Sequence, residues 1–399
     1  VTTVMNLDSK RGQGASTEAV RAFNRRIVLN LIRQRQPISR ADLARKSGLQ
    51  RSTISLIAEE LIDDRWIIEG PTGRLPRGRR PTYLRLNEHR SIVAVDIRPL
   101  ECTIGLADIN GRFTAQEAFP TPSDPELGIE EIIRRIRILI ENKSESVTIE
   151  GIGISLPGRV AGDSSKLIFA PNLGWGAVDV RTPIAAATGL PVDVENAANA
   201  CVLATVWFDH KTMHCSELVV ITVSEGIGTG VLANGQLVRG SNGMAGEFGH
   251  VPLEPSGPKC TCGGQGCWEV FASNRAALRY YHEAGGKEEL KFARLLRLAD
   301  EGDACATQAI EKMAHYLGRG MRMIVAGLAP ECIVLVGDFT QSWQRFGSII
   351  EAEIHEQTLP GATPAKIVAA HEHGMARLRG TVALVLQKHF NINSGQFAN

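Results

Sequence analysis

Residues 247–269 read EFGHVPLEPSGPKCTCGGQGCWE, from Glu247 to Glu269. Within them His250, Cys260, Cys262 and Cys267 carry good donors for Zn²⁺, and one imidazole with three thiolates completes a closed tetrahedral site. The intervening spacings of nine, one and four residues are not those of a nucleic-acid finger. Gly263, Gly264 and Gly266 allow the chain to curl about an ion. Three of the eight cysteines in the chain fall within eight residues here, among glycines. Buried free thiols follow apolar periodicity instead. One structural zinc per chain is therefore expected, since four protein donors leave no open coordination position. Such a cluster suits a reducing compartment better than a disulfide framework would.

On either side of this stretch the chain alternates strands and helices. Strands are expected at 92–97, 102–109 and 112–119, with Asn110-Gly111 as a hairpin turn. A helix follows at about 126–143, then strands at 151–155 and 192–195 and a helix at about 197–208. Strands at 218–223 and 230–233 begin a second, similar series. It continues through a helix-rich stretch at about 275–327, strands at 333–336 and 366–370, and a last helix at about 374–389. The body is thus α/β, in two halves that begin alike.

The first 90 residues are different. They hold 18 Lys and Arg against nine Asp and Glu, a balance of +9, whereas the whole chain carries only +1. A basic head on an acidic body is the charge pattern of a nucleic-acid-binding module joined to something else. A helix is expected over 17–35, capped by Thr17, with Val20, Phe23, Ile27 and Leu31 as its buried stripe. Ser39-Arg40-Ala41-Asp42 resembles a capping box that opens a short helix, and Ser47-Gly48-Leu49 makes a tight turn. A third helix starts near Gln50, with Ile54, Ile57, Ala58, Leu61 and Ile62 on its inner face. A plain helical hairpin would need no polar first turn, but Gln50, Arg51, Ser52 and Thr53 present one suited to base edges and phosphates. Two short β stretches at 66–70 and 82–86 flank Pro76-Arg77-Gly78-Arg79-Arg80-Pro81. Gly78 lets that loop approach closely, so Arg77, Arg79 and Arg80 are expected to reach into an A·T-rich minor groove. The head reads as a winged helix-turn-helix.

The remaining composition sets outer limits. The chain of 399 residues is 43% hydrophobic and 22% charged, proportions that support two or three globular domains. No run of 18 apolar residues occurs, so no membrane contact is expected. The N-terminal VTTVMNLDSKRGQGAS lacks the apolar core of a signal peptide, which points to the cytoplasm.

The 247–269 stretch resembles the signature of the ROK family, named for repressors, open reading frames and sugar kinases. Asn24-Arg25-Arg26, the winged head and Gly78-Arg79-Arg80-Pro81 resemble its repressor branch. The resemblance implies an actin-like (ribonuclease-H-like), two-lobed sugar-kinase fold behind the head. The division it suggests is a flexible tail at 1–16, the DNA-binding domain at 17–90, a first lobe at 91–196 with 374–399, and a second lobe at 197–373 carrying the zinc loop. It also implies a sugar site made of Asn172, Gly174, Asn196, Glu247, His250 and Glu269. His250 would ligate zinc through one ring nitrogen and offer the other to a hydroxyl.

Catalysis fits the resemblance less well. The family's general base is an aspartate following the asparagine at Asn196, and here that position is Ala197. Losing a positioned base costs about 10²–10⁴ in rate. The first phosphate loop keeps Asp96 but continues with Arg98 and Pro99 in place of small residues. The second, Ser224 to Gly230, is better kept. Val336-Gly337-Asp338-Phe339 replaces the glycine run of the adenosine region. No enzyme activity is expected. The expectation is a homodimeric or homotetrameric regulator on double-stranded operator DNA, a repressor of carbohydrate genes whose body senses a sugar or sugar derivative. Two rivals stand beside it: control by a protein such as a sugar-transport phosphocarrier, and a bifunctional sugar kinase.

Overall fold

The structure, a computed structural model, describes residues 17–72, 81–161, 167–170, 172–209, 212, 214–356, 365–370 and 375–390. Its contacts divide the chain into two compact units, residues 1–88 with 389–391 and residues 89–388 with 392–399. The expected N-terminal tail and the wing arginines Arg77, Arg79 and Arg80 lie outside the described residues.

The first unit runs α1 (Thr17–Arg35), β1 (Ile38–Ser39), α2 (Arg40–Ser47), α3 (Arg51–Asp63), β2 (Ile67–Thr72) and β3 (Thr82–Leu86). The strands form one antiparallel sheet in the order β1-β3-β2. Ser39 caps α2, its hydroxyl accepting from the Asp42 N–H at 3.1 Å and donating to the Asp42 carboxylate at 2.6 Å. Gly48 ends that helix at φ +71°, the left-handed conformation that a side chain would strain. Leu29, Ile32, Leu43, Ile54, Leu61, Ile67, Leu84 and Leu86 close the core. The edge-on ring of Phe390 completes it, 5.7 Å from Trp66.

The expected stripe on α1 is corrected in its first half. Val20 and Phe23 are 46% and 44% exposed, and burial begins only at Val28. The reason is electrostatic: the early turns of α1 meet α3 through the ion pairs Arg21–Glu60 and Arg25–Asp64, the latter at 2.6 Å. Charged side chains hold that contact, leaving the apolar pair outside it.

The second unit contains two five-stranded sheets. The first is built from β4 (Arg90–Ile97), β5 (Glu101–Asp108), β6 (Phe113–Pro120), α4 (Pro125–Glu141), β7 (Thr148–Leu156), the small hairpin β8 (Arg159–Val160) and β9 (Leu167–Phe169), α5 (Arg181–Thr188) and β10 (Val192–Asn196). After α6 (Ala197–Phe208) come β11 (Leu218–Val223), β12 (Ile227–Ala233) and β13 (Gln236–Val238). Then follow α7 (Glu269–Ala272), α8 (Asn274–Glu283), α9 (Phe292–Glu301), α10 (Ala304–Leu328), β14 (Cys332–Val336), α11 (Trp343–His355), β15 (Lys366–Ala369) and α12 (Ala376–Phe390). The sheet orders are β10-β7-β4-β5-β6 and β13-β12-β11-β14-β15. In each, an antiparallel meander of three strands is extended by two parallel strands beside its first member. The same strand order is therefore drawn twice.

Helix α6 is buried on all sides from Ala197 to Trp207, which its small and aliphatic sequence permits. It packs on β11 and β12 of one sheet and β7 and β10 of the other. Helix α12 crosses it so closely that a Cβ on Gly380 would stand 2.0 Å from the Ala200 carbonyl oxygen. Only a residue without a side chain fits that crossing. Among the described residues, no helix is long and apolar enough to cross a membrane.

Candidate ligand pocket and metal centre

A pocket opens where the ends of β7 and β10, the start of α6, the β11–β12 turn and the 247–269 stretch converge. Asn172, Asn196, Glu247, His250 and Glu269 all line it. Gly174 is not among the lining residues; it takes φ +75° in the loop just beyond Asn172.

Local structure fixes how each polar group is presented. Asn196 ends β10 and caps α6, its Oδ1 accepting from the N–H of Ala198 at 2.8 Å and of Asn199 at 3.4 Å. Its Nδ2 donates to the Gly158 carbonyl at 2.6 Å. Much of its hydrogen-bonding capacity thus serves the backbone. Glu269 is 4% exposed, and its Oε2 accepts from the Ile227 N–H at 3.0 Å. The turn permits this approach because position 226 is glycine; a Cβ there would lie 2.2 Å from Oε2. Arg275 stands 3.6 Å from the same carboxylate and donates to Asn172 Oδ1 at 2.9 Å. Burial raises the Glu247 carboxyl above its ordinary range, the Glu269 charge adds to this, and His250 and Arg159 oppose it. Two carboxylates and an amide facing one space can accept and donate to neighbouring hydroxyls.

Ala197 lines the same pocket as the first residue of α6. Asn199 is committed elsewhere, donating to Glu195 Oε1 at 3.0 Å. At the end of β4 the buried Asp96 accepts from Ser155 Oγ at 2.6 Å through one oxygen and from Arg98 Nε at 2.6 Å through the other. Pro99 follows and reaches the pocket wall. The sequence did not point to two further groups: Arg377 on α12, which lines the pocket and donates to Ser224 Oγ at 3.3 Å, and Arg275 on α8, which stands behind the lining residues Asn172 and Glu269. Neither belongs to a local motif, so only the fold brings them here.

Beside the pocket, His250, Cys260, Cys262 and Cys267 bring their donor atoms within 4.8 Å of one another. Cys260 Sγ is 3.6 Å from His250 Nδ1, and Cys262 Sγ is 3.7 Å from Cys267 Sγ. A tetrahedral ion bound to thiolates at about 2.3 Å has edges of about 3.8 Å, close to these two separations, so the group could hold a metal ion. Without a cation, thiolates packed this closely are costly, and the sulfurs keep their protons. Burial, followed by the adjacent Cys262 and Cys260, pushes the Cys267 thiol up to about 12. The loop is anchored by Trp268, fully buried, whose Nε1 donates to the Tyr316 carbonyl on α10 at 2.8 Å. His250 faces both ways: Nδ1 points into the cluster, while Nε2 lies 3.8 Å from Glu247 Oε2.

In the first unit, Gln50, Arg51 and Ser52 are exposed at the start of α3, and Thr53 is half-buried. Gln50 occupies the cap position without a side-chain capping bond, which leaves its amide available for other contacts.

The ROK family matches residues 92–388. The xylose repressor of Bacillus subtilis (strain 168) is 31% identical over 326 residues, spanning 81% of this chain and 84% of that protein. A crystal structure of a ROK family transcriptional regulator, a homologue of the E. coli MLC protein, superposes with a TM-score of 0.79 at 26% identity, covering 94% of this chain and 99% of that one. A ROK family glucokinase from Streptomyces griseus, solved with glucose and AMPPNP, gives a TM-score of 0.68 at 26% identity over 74% of this chain and 99% of its own. The α/β body is common to repressor and kinase relatives alike, and the chain belongs to the ROK family.

Proposed function

We propose that this chain is a DNA-binding transcriptional repressor of carbohydrate genes whose kinase-like body senses a sugar or sugar derivative. One observation carries the reading. The pocket keeps Asn172, Glu247, His250 and Glu269 as hydroxyl-binding groups, while the residue at the head of α6 is Ala197. A site so lined can grip a polyol but has no base at the position where the family takes a proton from the attacking hydroxyl. The Asp96–Arg98 pair adds to this: a carboxylate already answered by a guanidinium is a poor partner for a nucleotide's metal ion.

The first unit serves as a winged helix-turn-helix. Gln50, Arg51, Ser52 and Thr53 on α3 read the major groove, and Arg77, Arg79 and Arg80 enter the minor groove. The metal is one structural Zn²⁺ per chain, held by His250, Cys260, Cys262 and Cys267; when bound it supplies a rigid scaffold rather than an open Lewis-acid position. His250 would hold the ion through Nδ1, the nitrogen that faces Cys260, which would leave Nε2 to donate toward the ligand or Glu247. The regulator acts as a homo-oligomer, and ligand closure of the body alters the half-site spacing that its heads can match. Fluorescence anisotropy on DNA from upstream of the chain's own gene, titrated with sugars at fixed salt, tests this reading. Release or tightening of the complex by one sugar supports it. DNA binding indifferent to every sugar overturns the sensor role in favour of a protein signal.

A further inference from the structure

The outward face of α3 is unusual in one position. At 100° per residue, the buried residues Ile54, Ile57, Ala58 and Leu61 set the inner face. Opposite them runs a stripe of Ser52, Leu56, Glu59 and Asp63. Leu56 is 61% exposed, although its volume would be useful in any core. Charge divides the helix along its length. Arg51 stands at the N-terminus, and Glu59, Glu60, Asp63 and Asp64 crowd the other end. Glu60 and Asp64 are answered by Arg21 and Arg25, but Glu59 and Asp63 lie exposed on the outward stripe itself and repel phosphates, so the first turn and a half of α3 is the part suited to a groove. Leu56 is the last outward side chain before the acids begin.

We propose that Leu56 is a specificity-determining residue that reads the 5-methyl group of a thymine in the major groove. The inference rests on the DNA-reading role proposed for α3. An aliphatic side chain can neither donate to a purine nor accept from cytosine, and the thymine methyl is the one apolar feature on the major-groove edge of the bases. Arg51 and Ser52, one turn earlier, supply the polar contacts that place the helix. Glu59 marks the limit of entry.

The test removes the same methyl from either side of the contact. The probe is a duplex from upstream of the chain's own gene, located by footprinting with the full-length protein, in which each protected thymine is replaced in turn by deoxyuridine. The wild-type chain is expected to bind roughly fourfold more weakly at one thymine per half-site, the worth of one buried methyl. Leu56→Ala should bind the unmodified duplex at least that much more weakly and no longer distinguish thymine from uracil anywhere in the site. Leu56→Met, which keeps an apolar tip, should retain the discrimination and thereby exclude a folding defect. Indifference of the wild type to every uracil overturns the inference, as does unchanged sensitivity in Leu56→Ala. Failure of the wild type to select any duplex overturns the DNA-reading role itself.

Discussion

Replacing Cys260 with serine separates the metal cluster from the pocket that it borders. Cys260 Sγ lies 3.6 Å from His250 Nδ1 and 3.8 Å from Glu269 Oε1, so it touches one ligand-binding group on each side. A serine hydroxyl is a far weaker zinc donor than a thiolate. Since even outer-shell partners are worth about 10–100-fold in metal affinity, loss of one of four donors should leave the purified chain essentially without zinc. His250 then loses the contact that fixes its tautomer. The ring is then free to turn or to change tautomer, so that Nε2 no longer donates in a fixed direction, and one hydrogen bond to the ligand, worth about 1 kcal/mol, weakens or disappears. Sugar affinity is therefore expected to fall by about fivefold, and further if the 247–269 loop loosens around Glu269. Metal content by plasma mass spectrometry and sugar binding by calorimetry give the two readouts on one preparation. A zinc-free variant with unchanged sugar affinity would refute the coupling, and wild-type protein without one zinc per chain would refute the assignment of the ion.

Three further outcomes are expected. The double variant Arg77→Ala and Arg79→Ala should lose more affinity for operators flanked by A·T than by G·C, as measured by anisotropy; equal losses would reduce the wing to phosphate contact. A coupled ATPase assay with a hexose panel should detect no turnover for the wild type, and none for Ala197→Asp while Arg98 still occupies Asp96. Rates of about 1–100 s⁻¹ from the wild type, the range of ordinary kinases, would contradict the account of this pocket. Gly380→Ala should destabilise the second unit by at least about 2 kcal/mol in thermal or urea unfolding, because its new methyl meets backbone that cannot swing aside. A variant as stable as wild type would show that α6 and α12 are not packed so closely.

Local chemistry was the readable part of this chain. The capping pair Ser39 and Asp42, the glycine after α2, the inner face of α3, the Asn110-Gly111 turn and the length of α6 all depend on neighbours within one or two helical turns. The cluster of His250 with three cysteines was readable for the same reason. What escaped depends on partners distant in sequence. The exposure of Val20 and Phe23 goes with the ion pairs that Arg21 and Arg25 make with Glu60 on α3 and Asp64 just after it. Arg377 reaches the pocket, and Arg275 its lining residues Asn172 and Glu269, only because α12 and α8 fold back toward the β11–β12 turn. Asn196 was expected to serve a ligand, and the structure also engages it in capping α6. Helices α5 and α11 and the strands β8, β9 and β13 were passed over because short segments among many apolar neighbours carry little periodic signal.

The repeated strand order has a consequence for how such a protein can change over time. The two sheets, joined through α6, carry the demands of folding, whereas the pocket belongs to neither repeat alone. It is assembled from strand ends and turns that face each other across the join. On the function proposed above, a residue such as alanine at 197 alters the chemistry of that pocket without altering the fold. On that proposal, a lineage can abandon phosphoryl transfer in a few steps while keeping the capacity to hold a sugar. Enzyme and regulator are then neighbouring solutions on one scaffold, separated by the residues along its seam.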